Sequence, residues 1–97
     1  MTDDTLLREL EQTCQQLMAG LQQEFAALGK HEYQTLPAIS QTKQQLVEKL
    51  DSLDAQVRSR KNMQQHPRWP GLSNLLQQCQ QQNIRNGKLL ARSYQLS

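Results

Sequence analysis

Between residues 4 and 28 the apolar positions fall at Leu7, Leu10, Cys14, Leu17, Leu21 and Leu28, three and four residues apart with one gap at Glu24. That spacing is the a/d stripe of a helix packed lengthwise against other helices. Leu6, Met18 and Phe25 widen it toward the broader face a bundle helix requires. Asp3 and Asp4 stand where N-caps and first-turn acids belong, and Gly29 is the expected stop. A helix over 4–29 is therefore predicted.

Residues 30–36 read as a short break. Pro37 suits a first turn, where its missing N–H costs nothing. Ile39, Leu46, Leu50, Leu53 and Val57 then carry a second helix, placed over 37–62. His66-Pro67-Arg68-Trp69-Pro70-Gly71 reads as a turn, because two prolines and a glycine oppose a helix interior. A third helix is expected over 72–96, carried by Leu72, Leu75, Leu76, Cys79, Leu89, Leu90 and Leu96. Its middle is rich in Gln and Asn. A disordered Gln tract is the alternative there, but the flanking periodicity favours helix.

Short connections make consecutive helices antiparallel neighbours. Setting Leu28 opposite Ile39 brings Leu21 opposite Leu46, Leu17 opposite Leu50, Cys14 opposite Leu53 and Leu10 opposite Val57. The two stripe exceptions, Glu24 and Lys43, then fall on one layer with opposite charge. An ion pair that sets the register is the expectation. The alternative is two long side chains reaching out of a narrow core. Turning the second helix onto the third puts Lys43 level with Gly87, flanked by Asn83 and Asn86. These five residues form a candidate polar layer, with Gly87 either permitting a close helix approach or merely kinking a solvated face. The fold class is thus an all-α antiparallel three-helix bundle, a long hairpin with a third helix, in one domain over 1–97.

Composition narrows the function. Only 36% of the 97 residues are hydrophobic and 4% aromatic, poor material for an enclosed ligand pocket. Glutamine occurs eighteen times, a helix former without nucleophilic or metal-binding chemistry of consequence. No nucleophile–base spacing, metal-ligand pattern or phosphate-cradling loop stands out, so neither catalysis nor a cofactor is expected. A net charge of +2 is too mild to imply nucleic acid or an anionic membrane. Arg58, Arg60, Lys61 and Arg68 beside Trp69 form the one basic-aromatic cluster, read as a solvated helix end with Trp69 closing the bundle. His31 and His66 read as loop residues on the surface. Cys14 and Cys79 match no redox or zinc spacing and read as small core hydrophobes in a reducing compartment. No leader or apolar run is evident, so the expected location is cytoplasmic, without membrane insertion.

Glu24-x-x-x-Leu28, Lys43-x-x-Leu46-x-x-x-Leu50 and Asn83-x-x-Asn86-Gly87-x-Leu89-Leu90, in this order on a Gln-rich frame, resemble the FlgN-type flagellar export chaperones. The resemblance implies a bacterial cytoplasmic chaperone without enzymatic activity or cofactor. It would bind hook-associated proteins of the hook–filament junction and hold them for the flagellar type III export apparatus. Family members continue past the Asn-Gly motif and hold the client with that C-terminal part, so a client-binding tail is expected to be missing here. On the facing positions above, the hairpin tip near residue 33 is level with residue 97, and further residues would overhang it. Leu89, Leu90, Tyr94 and Leu96 are therefore the expected border of the client site. The competing reading is a generic coiled-coil adaptor or oligomerisation module, with a homo-oligomer as its product.

Overall fold

The computed structural model describes residues 2–96, with side chains through residue 92. Three helices run up, down and up: α1 Asp3–Gly29, α2 Leu36–Ser59 and α3 Trp69–Leu96. No strand occurs among the described residues. Single 3₁₀ turns, Tyr33–Thr35 and Met63–Gln65, fill the two connections. The result is a rod of 49 × 19 × 17 Å, a cross-section of helices lying side by side.

Each end of α1 is set by local chemistry. Thr2 caps its N-terminus, its hydroxyl accepting from the Thr5 amide at 3.2 Å, while Asp3 and Asp4 occupy the first turn. The helix ends at Gly29, as expected, but the left-handed residue that closes it lies two positions further on. Gly29 is still helical, and His31 takes the left-handed conformation with φ of 58°. The His31 amide donates to the Leu28 carbonyl and the Glu32 amide to the Ala27 carbonyl, the paired bonds of a Schellman ending. A histidine thus does a job usually left to glycine. α2 enters through Pro37 in its first turn, as the sequence predicts.

The second connection differs from its expected form. α2 ends at Ser59 rather than near residue 62, because Arg60 is extended and Asn62 is left-handed with φ of 65°. That reversal swings Met63 into the core, where it is almost fully buried. α3 starts at Trp69, so Trp69-Pro70-Gly71 is its first turn and not a loop. The first turn of a helix needs no amide donor, so Pro70 costs nothing there.

α1 is the central helix. One face of it packs antiparallel on α2, and Leu17, Leu21, Leu50, Leu53 and Val57 share one buried cluster against which Leu46 is packed. Leu28 and Ile39 share a second cluster at the hairpin tip. The predicted α1–α2 register is therefore the observed one. Phe25 is the exception to the widened stripe, lying 51% exposed. α3 takes its register from α1 and not from α2. Cys79 bonds to Cys14 and Asn86 to Leu21, both at a separation of 65 residues, which defines a parallel, in-phase seam. Backbone contact between α2 and α3 is sparse by comparison. Of the two readings of Gly87, the close helix approach is absent and the solvated face holds: Gly87 is exposed, and a Cβ there would meet nothing within 4 Å. The seam also sets Leu89, rather than Gly87, level with Glu24 and Lys43.

Candidate functional site

The expected polar layer forms in part: the stripe exceptions of α1 and α2 meet as an ion pair, while Asn86 of α3 bonds one turn away, level with Leu21. Lys43 donates to both Glu24 oxygens, at 3.0 Å to Oε2 and 3.3 Å to Oε1. The Glu24 side chain is 1% exposed and that of Lys43 15%. The carboxylate thus sits in the core, while the ammonium reaches it from the edge. Asn86 is fully buried on α3. Its amide donates to the Leu21 carbonyl at 2.7 Å, and its oxygen accepts from Gln82 at 2.8 Å. Asn83 is half-buried one turn earlier. Glu24 and Lys43 therefore carry the layer, Asn86 makes a separate buried bond one turn away, and Gly87 faces solvent. No buried polar side-chain atom among the described residues lacks a partner.

Beside this layer, Glu24, Leu36, Pro37, Ser40 and Leu90 line a shallow notch between the tip of the hairpin and α3. Leu89 and Leu90 are half-buried and pack against Ala27, Leu28 and Leu36. They close the tip cluster and border the notch together. Tyr94 and Leu96 lie outside the residues whose side chains are described.

The opposite end is tied shut. Arg60 pairs with Asp3 at 2.6 Å, Arg68 with Glu11 at 2.7 Å, and His66 with Asp4 at 3.0 Å. Arg58 pairs with Asp54 one turn back along α2. The basic cluster is thus largely matched by acids of α1 and α2. Trp69 packs against the main core and closes this end, as expected. His66 is half-buried by its contact with Asp4, whereas His31 is exposed and bonds the Tyr33 hydroxyl at 2.6 Å.

The feature the sequence reading missed is the α1–α3 seam. Its signal was available: Leu7 and Leu72, Cys14 and Cys79, and Leu21 and Asn86 keep one separation, so the two stripes share a phase. Among the described residues, no cluster of His, Cys, Asp or Glu could hold a metal ion, and no helix is long and apolar enough to cross a membrane. No family model matches the chain, and neither a curated protein nor a solved structure matches it with significance.

Proposed function

We propose that this chain is a flagellar export chaperone of the FlgN type, acting in the cytoplasm by binding hook-associated proteins and presenting them to the type III export apparatus. It works by binding and not by catalysis. The observation that supports the reading most is the polar layer. Glu24, Lys43 and Asn86, three of the residues that carry the resemblance, make the polar bonds that tie α2 and α3 to α1. They are thus explained as the frame of the bundle, which leaves recognition to the surface around the hairpin tip. There the notch beside Leu90 combines apolar Leu36 and Pro37 with polar Glu24 and Ser40, and a client helix laid along it would meet both.

The test is co-purification. The chain is coexpressed with hook-associated proteins, and complexes are isolated by size-exclusion chromatography. A stoichiometric complex that weakens at least tenfold in Leu89→Ser/Leu90→Ser, with helicity unchanged, is expected. A stable homodimer that retains no such client would instead favour the adaptor reading, for which exposed Phe25 and Ile84 are the available apolar contacts.

A further inference from the structure

Cys14 and Cys79 are 65 residues apart in sequence and meet across the α1–α3 seam. Both are free thiols and both are fully buried. The Cys79 thiol donates to the Cys14 backbone carbonyl with its sulfur 3.3 Å from the oxygen. Parallel, in-phase helices set equivalent heptad positions face to face, the arrangement that brings two Cβ atoms within reach of a disulfide. Each thiol also perturbs the other. A hydrogen bond with the Cys79 side chain, and then burial, push the Cys14 thiol well above its ordinary range. The same bond lowers that of Cys79 against the opposing effect of burial.

We propose that Cys14 and Cys79 are a redox-responsive pair whose disulfide locks α3 onto α1. The oxidant is a low-molecular-weight disulfide such as oxidised glutathione. One cysteine thiolate attacks a glutathione sulfur, forming a mixed disulfide and expelling one glutathione thiolate. The other cysteine thiolate then attacks the protein sulfur of that mixed disulfide and expels the second. One S–S bond forms in the protein, one is broken in the oxidant, and the two thiol protons pass to the departing glutathiones. Neither sulfur is accessible in the packed bundle, so the first attack occurs when α3 parts from α1. The seam is suited to such opening, because between Cys79 and the Leu89–Leu90 contact at the tip it is held by the Asn86 bond to the Leu21 carbonyl rather than by a continuous leucine stripe. Reduction restores the movable helix. This inference stands independently of the chaperone reading.

The experiment incubates the full chain with oxidised glutathione, blocks remaining thiols with an alkylating agent and measures the intact mass. The expected product is a monomer lighter by two hydrogens that resists alkylation. Its unfolding equilibrium should move toward the folded state by on the order of a hundredfold or more, and a dithiol reductant should reverse the shift. Persistent glutathione adducts on both cysteines, disulfide-linked dimers, or thiols left unmodified after repeated cycles of urea unfolding and refolding would overturn the proposal. Cys14→Ser and Cys79→Ser should each retain one glutathione adduct and gain no stability. If either variant fails to fold, the mass and unfolding shift of the unsubstituted chain still decide the matter.

Discussion

Glu24 and Lys43 share an ion pair but not an environment. Glu24 is wholly enclosed by its helix neighbours, while the longer Lys43 stem lets its ammonium keep an edge in solvent. Removing one partner should therefore be asymmetric. Lys43→Met strands a buried carboxylate and should cost about 3 kcal/mol; Glu24→Gln leaves a lysine able to swing outward and should cost about 1–2 kcal/mol. Glu24→Leu combined with Lys43→Met should return to within about 1 kcal/mol of the original, because matched apolar groups need no pairing. A double-mutant cycle in urea measures the coupling, and a value near zero would count against the pair. His31 supplies a second residue-scale prediction. It pays for a left-handed backbone that glycine adopts freely, so His31→Gly should raise stability by about 0.5–1 kcal/mol, read as a higher urea midpoint. The exposed bond to Tyr33 is too weakly placed to reverse that sign.

At the scale of the element, α1 is the helix on which the other two are aligned, and it meets them in opposite directions. Its apolar stripe therefore had to be read twice, once antiparallel against α2 and once parallel against α3. The antiparallel reading was legible because the loop is short and each apolar layer found a partner. The parallel reading was obscured by Gln and Asn in the middle of α3, which dilute its stripe. Gly87 illustrates the consequence. It was a candidate for close packing, yet it lies exposed with open space around it. Gly87→Ala should accordingly stabilise the isolated protein by about 0.7–1 kcal/mol, the helix-propensity difference, in thermal or urea unfolding. Met63 runs the other way: a loop residue by pattern, it is buried by the left-handed turn at Asn62. Met63→Ala should cost about 2–3 kcal/mol, and an unfolding curve unchanged by it would contradict the packing described.

The whole rod has two dissimilar ends. One is drawn together by Trp69, Met63 and ion pairs from the second connection and the start of α3 to α1. These pairs are substantially exposed and screened, so raising ionic strength should change the unfolding midpoint only slightly. The other end carries the hairpin tip, the notch beside Leu90 and the upper part of α3. On the proposed reading the client binds at the tip, since the closed end pairs most of its charges internally. A client complex should therefore tolerate Arg68→Ala and respond to Leu90→Ser; equal losses for both, measured by titration, would move the contact surface away from the tip.

Periodicity in the sequence was sufficient for the helices, for the α1–α2 register and for the pairing of Glu24 with Lys43. Those features follow from local spacing and from a short connection, which together leave only one way to match apolar layers and opposite charges. The tertiary structure decided what depended on a third partner. α3 could have aligned on α2, as its sequence neighbour, but it aligned on α1, because the in-phase stripes bury Leu72, Cys79 and Asn86 against Leu7, Cys14 and Leu21. The exposure of Gly87 and the meeting of the two cysteines descend from that choice, and the burial of Met63 from the left-handed turn at Asn62. Each depends on which surfaces coincide in space, a relation that spacing along one chain does not contain.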